Sequence, residues 1–389
     1  MTAASRQSTS EPMSGRKTWM DLLRGGAILL VILFHASALP VILIFVPPTE
    51  FMADLNTFFG PYRMSMLLVL SGMLLGRSLA KPAGIYYTSK VRTIVWPYLL
   101  WALIYWLVSG QEEWTDPSAW LATSWLWFLF FLAIYYAAAP LLARIRGPWF
   151  AIVPVVLWAS SVVLPDGDLT NLVYYGGFFF AGHFVATWRS VFSRFETIPW
   201  MLGLLAIAVT FSLLLVAQDH AYYFGLGSHL GVSHGGPDGL VDALDGATID
   251  NPTGEVAGAD NGTVIDRLSV LWIPVVLAGI AGIIMWVRRV TGVLEGRGAD
   301  AAKWLQYIGR NSVVFYVVHY PTQIWITFRL GEAGVVDSNT TFWACTLGAL
   351  AMSYLACWLR RFRFFDAFFV FPKLRGTQTT KQSAPTVSG

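Results

Sequence analysis

Long apolar runs, separated by short polar stretches, fill most of the chain. Ten of these runs have roughly 17–25 residues, the length that an α-helix needs to cross a ~30 Å hydrocarbon core. They are residues 19–41, 58–80, 93–110, 120–142, 149–165, 170–188, 199–217, 268–287, 304–328 and 340–359. The pattern predicts an all-α integral membrane protein, a polytopic bundle of about ten transmembrane helices.

The composition indicates the same class and excludes others. Hydrophobic residues make up 56% of the chain and charged residues 13%, whereas a soluble domain has about 25% charged residues. We therefore expect the lipid bilayer as a partner and no nucleic acid. Cys345 and Cys357 would lie about 18 Å apart along one helix, too far for a disulfide. They predict no metal site either.

Basic and acidic residues alternate between the segments that connect the apolar runs. Lys and Arg lie in the two tails and in the even-numbered connections, whereas acidic residues dominate the odd-numbered ones. Of the 26 Lys and Arg residues, all but Arg63, Arg267 and Arg329 fall on the first side. The positive-inside rule then places both termini in the cytoplasm and predicts ten crossings.

One connection, at about residues 218–267, is much longer than the others. It is rich in Gly and Asp and has too few apolar residues for a core of its own, so we expect a flexible acidic extracytoplasmic loop. The predicted organisation is a cytoplasmic tail over 1–18, a ten-helix membrane domain over 19–360 and a cytoplasmic tail over 361–389. A bacterial inner (plasma) membrane suits this multi-pass pattern.

The first apolar run carries a polar stripe. Arg24 and His35 are eleven residues apart, which is about three helical turns, so their side chains point the same way about 16 Å apart. Asp21 lies one turn before Arg24 and can pair with it. Ionisable residues in a membrane usually face a bundle interior or a watery cavity and are candidates for function. Arg24 could instead snorkel to the interface, and His35 could be a structural hydrogen-bonding residue.

Five short motifs follow one another along nearly the whole chain. They are DLLRGGAILLVILFH with Arg24 and His35, YRMSMLLVLSGMLLG (62–76), KVRTIVWPYLLW (90–101), LWFLFFL (126–132) and IGRNSVVFYVVHYP (308–321). In this order, and on a ten-helix frame, they resemble the membrane acyltransferase-3 family, the bacterial O-acyltransferases that modify envelope glycans and lipids.

The resemblance implies a cytoplasmic acyl-CoA donor, usually acetyl-CoA, and no permanently bound cofactor. The acceptor would be a hydroxyl of a sugar or glycolipid at the outer face. Arg24, Lys90 and Arg92 are expected to bind the donor phosphates, because cationic side chains, and the guanidinium fork above all, match phosphate oxygens. Lys90 stands where relatives often carry arginine. Lys90 and Arg92 could also be ordinary topology charges.

His35, together with Arg24, is the expected catalytic residue. An imidazole titrates near neutral pH, which suits a general base that takes the proton of the acceptor hydroxyl. His35 could instead carry the acyl group transiently as a nucleophile. The sequence does not separate these two routes.

Three further residues are expected at the acceptor end. Arg63 is a cation placed against the charge trend, which favours a role in binding the acceptor or supporting the site. His319 falls at a depth comparable with His35, and Tyr316 precedes it by one turn. An interfacial histidine beside Tyr320 is an equally good interpretation of His319.

A supporting set surrounds these residues: Asp21, Ser71, Gly72, Asn311 and Ser312. Small residues such as Ser71 and Gly72 let membrane helices pack closely. Aromatic residues near the ends of the predicted helices are expected in the interfacial belts. Among them are Trp96, Trp101, Trp125 and Trp127.

The alternative function is that of a transporter or flippase of a glycoconjugate, without acyl transfer. Arg24 and His35 would then be coupling or gating groups. The sequence has neither the internal repeats nor the paired broken helices that mark many transporters, which favours the enzyme. The identity of the acceptor, the acyl chain length and the oligomeric state are left open by the sequence.

Overall fold

The computed structural model describes residues 18–109, 115–164, 167–217, 270–296 and 300–372. These residues form helices and no β-strand. The predicted N-terminal tail up to residue 17, the long connection 218–267 and the C-terminal tail from residue 373 lie outside the described residues.

Eleven long helices make up the bundle in this part of the chain. They are α1 (Thr18–Ile44), α2 (Glu50–Met73), α3 (Trp96–Ser109), α4 (Trp127–Leu142), α5 (Ile152–Val163), α6 (Asp168–Thr187), α7 (Ile198–Val216), α8 (Ile273–Gly296), α9 (Asp300–Arg310), α10 (Ser312–Glu332) and α11 (Ser338–Leu359). Shorter helical turns connect several of them. Helix Ala83–Lys90 and the π-helix Val91–Val95 lead directly into α3.

Among the described residues, seven helical segments are long and apolar enough to cross a membrane. They are Thr18–Ile44, Glu50–Leu79, Ala83–Val108, Ser124–Leu142, Ile198–Val216, Val270–Val293 and Ser338–Leu359. The chain is therefore a multi-pass membrane protein. The other three predicted segments are also helical: Gly147–Val163 is apolar but shorter, and α6 and α10 are long but less apolar.

The ninth predicted segment, 304–328, is interrupted. Asn311 leaves the helical conformation, with φ −106° and ψ 23°, and separates α9 from α10. Its side-chain amide donates to the carbonyl of Tyr307 at 3.0 Å, an example of how Asn competes with the helical backbone. The second segment begins earlier than predicted, because Thr49 caps α2 by accepting from the Met52 N–H.

Helix α1 lies inside the bundle, in contact with α2, α9, α10 and α11. It crosses α9 closely at Gly25, where a Cβ atom would lie 1.9 Å from the carbonyl oxygen of Leu305. Helices α2 and α6 meet in the same way at Gly72, where a Cβ atom would lie 1.8 Å from the carbonyl oxygen of Phe179. Only glycine allows such backbone contact, and the two crossings fix the positions of Arg24 and Ser71.

Candidate active site

A cavity of about 190 Å³ lies between α1, α2, α4, α10 and the π-helix. Seven of its lining residues are apolar. The polar ones are Arg24, Ser71, Thr93, Tyr136, Ser312 and Tyr316. One cationic side chain among hydroxyl groups and apolar walls is suited to a ligand that has an anionic end and an apolar body.

The polar stripe predicted on α1 starts in this cavity. Arg24 and Ile28 line it, and His35 follows on the same face of the helix. On α2, Ser71 and Leu67 line the cavity, and Arg63 lies one turn beyond Leu67. Helices α1 and α2 run in opposite directions, so Arg24 lies near Ser71 and His35 lies near Arg63.

The structure brings two predicted site residues, His35 and His319, into direct contact. Nε2 of His319 lies 3.2 Å from Nδ1 of His35, and the ring centroids are 5.1 Å apart. Nδ1 of His35 is also 3.0 Å from the carbonyl oxygen of Val31. His35 is only partly buried, whereas His319 has no exposed surface.

Arg63 is the buried cation of this end of the site. Its side chain is 7% exposed, and its Cζ atom lies 3.8 Å from the centroid of the Phe34 ring. This is a cation–π contact. Arg63 is also close enough to His35 for its charge to act on the imidazole. Arg63, which the charge pattern singled out, thus lies beside the predicted catalytic residue His35.

Aromatic side chains enclose the histidine pair. Tyr316 was among the predicted site residues, whereas Tyr320 and Trp125 were not. The Tyr320 ring packs edge-on against His35 at 5.1 Å, and Trp125 stacks on Tyr320 at 4.7 Å. The hydroxyl of Tyr316 donates to the Trp125 carbonyl. Trp125 is 4% exposed, so its assignment to the interfacial belt was wrong. Trp125 lies in the short 3-10 helix Ser124–Leu126, directly before α4.

Of the predicted donor-binding cations, Lys90 is adjacent to the cavity. Its Nζ atom lies 3.5 Å from the centroid of the Tyr136 ring and donates to Ser78 Oγ at 3.3 Å. Its charge interacts with that of Arg24. Lys90 therefore lies near Arg24, beside the part of the cavity wall that Tyr136 forms.

Arg92 occupies a different environment. Its Nε–H donates to the carbonyl of Phe371 at 2.8 Å, and the Phe371 N–H donates to the Arg92 carbonyl at 3.0 Å. The indole N–H groups of Trp96 and Trp101 donate to the same C-terminal segment, at Ala367 and Phe368. Arg92, Trp96 and Trp101 together thus hold residues 367–371 against the π-helix and α3, while Thr93 lines the cavity.

The break at Asn311 places the start of α10 at the cavity. Ser312 and Val313, the first residues of this helix, are part of the lining. The first N–H groups of a helix have no intrahelical partner and carry the positive end of the helix dipole. Together with Arg24, they make this end of the cavity suitable for an anion. No group of three or more His, Cys, Asp or Glu within the described residues could hold a metal ion.

Comparison with known proteins gives one match. The acyltransferase-3 family model, described as an acyltransferase domain, matches residues 17–360, which is most of the chain. No curated protein and no solved structure matches.

Proposed function

The chain belongs to the acyltransferase-3 family and is a membrane acyltransferase that transfers groups other than aminoacyl groups, and we propose that it is an O-acyltransferase. The donor is cytoplasmic acyl-CoA, in the first place acetyl-CoA, and the acceptor is a hydroxyl of an extracytoplasmic glycan or glycolipid. One observation carries this proposal. The cavity that begins at Arg24 reaches Tyr316, whose ring lies 6.0 Å from that of His319, the partner of His35.

The proposed topology has ten membrane crossings and two cytoplasmic termini in a bacterial inner membrane. The alternation of basic and acidic connections supports it. In this orientation the Arg24 end of the cavity faces the cytoplasm, where acyl-CoA is made. His35 lies farther along α1, toward the outer face, where envelope glycans are found. Donor and acceptor then approach the same imidazole from opposite sides of the membrane.

The donor phosphates are assigned to the cationic end of the cavity. Arg24, Lys90 and the N-terminus of α10 supply positive charge and N–H donors there. The pantetheine arm would run past the apolar wall toward His35, about 16 Å along α1. Arg92 remains a predicted donor ligand at the rim, although its Nε–H is engaged with Phe371.

His35 acts in this proposal as the general base. Its imidazole takes the proton of the acceptor hydroxyl while the oxygen attacks the thioester carbonyl. The new acyl–oxygen bond forms, the acyl–sulfur bond breaks, and the proton passes from His35 to the CoA thiolate. Arg63, beside His35, would stabilise the negative charge that develops on the carbonyl oxygen and help to bind the acceptor, with Tyr316 on the facing helix.

Calorimetric titration of detergent-purified protein with CoA, acetyl-CoA and longer acyl-CoA thioesters tests the donor site. We expect micromolar binding by the wild type and by Arg144→Ala, which removes an exposed arginine at the end of α4. Arg24→Ala should bind at least about tenfold more weakly, because a charge-assisted hydrogen bond is worth about 1.5–3 kcal/mol. Absence of binding by stable wild-type protein would refute the acyl-CoA donor.

A further inference from the structure

The His319 side chain is fully buried, so it offers no surface to a substrate. It has no exposed surface, and both of its ring nitrogens have partners. Nδ1 lies 3.0 Å from the carbonyl oxygen of Phe315, one turn earlier on α10. Nε2 lies 3.2 Å from Nδ1 of His35. An acceptor sugar has no free edge of this ring to bind.

These contacts determine which nitrogen carries the proton in each ring. A carbonyl oxygen only accepts, so Nδ1 of His319 is the protonated nitrogen and, in the neutral ring, Nε2 has the lone pair. Nδ1 of His35 must then donate, and it shares its proton between the carbonyl of Val31 and Nε2 of His319. The lone pair of His35 is consequently on Nε2, the atom that is left for the acceptor hydroxyl.

We propose that His319 is a positioning residue for His35, a neutral second imidazole that orients the general base and stabilises its protonated form. This inference rests on the proposed function. When Nε2 of His35 takes the acceptor proton, its Nδ1–H becomes a stronger donor, and the His319 lone pair accepts a charge-assisted hydrogen bond. The role corresponds to that of the group that orients the base in other base-assisted acyl transfers.

His319 itself keeps its proton in this scheme. Its Nδ1–H is bound to the Phe315 carbonyl, and the buried ring gives that proton no path to water. No proton is transferred from His35 to His319. The proton taken from the acceptor leaves His35 from the same atom, Nε2.

Contacts between α1 and α10 fix the relative positions of the His35 and His319 rings. One turn beyond His319, Nε2 of Gln323 donates to the carbonyl of Ile32 on α1 at 2.9 Å, and Gln323 is fully buried. On the other side, the Tyr320 ring packs against His35. Helices α1 and α10 therefore cannot slide past each other without breaking a buried hydrogen bond.

The protonation pattern can be tested without any activity. Solid-state ¹⁵N NMR of histidine-labelled protein in liposomes, with His35→Gln and His319→Gln for assignment, reports which nitrogen of each ring is protonated. We expect both rings to be neutral with the proton on Nδ1, and a correlation between Hδ1 of His35 and Nε2 of His319. A proton on Nε2 of His319 would overturn the inference.

Kinetics then test the role in the reaction. His319→Gln retains an oxygen that can accept from His35, whereas His319→Leu does not, and Thr327→Val controls for the loss of another buried hydrogen bond of α10. With acetyl-CoA, His319→Leu should lower kcat about 10- to 100-fold, as is typical for groups that orient a ligating or reacting imidazole, at unchanged KM for the donor. His319→Gln and Thr327→Val should stay within about threefold of the wild type.

The outcomes separate this inference from the proposed function. If wild-type protein transfers acetyl groups and His319→Leu transfers them equally fast, the positioning role is wrong and the proposed function stands. If the wild type binds no acyl-CoA, the proposed function fails, and the positioning role falls with it even where the NMR pattern is as expected. Equal loss of kcat in His319→Leu and Thr327→Val would reduce His319 to a structural residue.

Discussion

His319 Nε2 lies 3.2 Å from Nδ1 of His35, so α10 and α1 join their imidazoles in one hydrogen bond. Neither histidine lines the cavity that Arg24 and Tyr316 share, but the ring of His319 lies 6.0 Å from that of Tyr316. In the proposed function, Arg24 serves donor recognition and His35 serves proton transfer, about 16 Å apart along α1.

The α1–α9 crossing is expected to control both stability and donor binding. Gly25→Ala would place its Cβ atom 1.9 Å from the Leu305 carbonyl oxygen, which forces the helices apart. We expect a loss of about 1–3 kcal/mol in unfolding free energy. Acyl-CoA binding should also weaken, because Arg24 directly precedes Gly25 and would be displaced with it.

The neighbouring Gly26 provides a matched control, because a Cβ atom there meets nothing within 4 Å. Gly26→Ala should leave thermal unfolding in detergent unchanged or slightly raise its midpoint, as alanine favours helices. Equal behaviour of the two variants would show that the close crossing does not limit stability.

Arg63 should affect transfer and leave donor binding intact. Arg63→Lys keeps the charge and loses the planar guanidinium that packs on Phe34, and Arg and Lys are not equivalent at such sites. We expect kcat to fall by up to about 100-fold, the low end of the effect of losing one oxyanion donor because the charge itself is kept, with acyl-CoA affinity unchanged by calorimetry.

Arg329 is the appropriate control for Arg63. It lies on the same predicted side, where it forms an exposed ion pair with Glu332 at 2.5 Å. Exposed pairs contribute little, so Arg329→Lys should have wild-type kinetics. A similar loss of activity in both variants would contradict a specific role for Arg63.

Lys90 and Arg92 should differ although they are two residues apart. Lys90 packs on Tyr136 in the cavity wall, so Lys90→Ala should weaken acyl-CoA binding by several fold. Arg92→Ala should mainly release the segment at residues 367–371 from the π-helix and α3, since its Nε–H bonds Phe371. Limited proteolysis of the C-terminal segment, measured beside donor affinity, distinguishes the two effects. A larger loss of affinity in Arg92→Ala would restore Arg92 as the main donor ligand.

The apolar runs were sufficient to predict the helical class, because a membrane-spanning helix is defined by length and hydropathy. They did not predict the break at Asn311, where one side chain satisfies a backbone carbonyl locally and leaves the hydropathy unchanged. The sequence also assigned Trp125 to an interface, since aromatic residues near helix ends have two possible environments and only the path of the chain decides between them.

Part of the candidate site could also be predicted from the sequence. Helical periodicity placed Arg24 and His35 on one face, and the charge pattern singled out Arg63. The contact between His35 and His319 joins residues 284 positions apart, which no local spacing can reveal. Burial of His319 is likewise a property of packing between α1 and α10. This burial is the basis of the proposal that His319 supports the base and does not contact the substrate.

Transfer of an acetyl group across the membrane tests the role of His35 most directly. Sealed inverted vesicles containing the protein are given acetyl-CoA labelled in the acetyl group on the side of the termini, and label is sought in glycan and glycolipid at the opposite face. We predict labelling by wild type and by His183→Ala, and a loss of at least about 100-fold in His35→Ala, with all three proteins equally inserted. Substantial transfer by His35→Ala would contradict the central claim that this imidazole is the catalytic base.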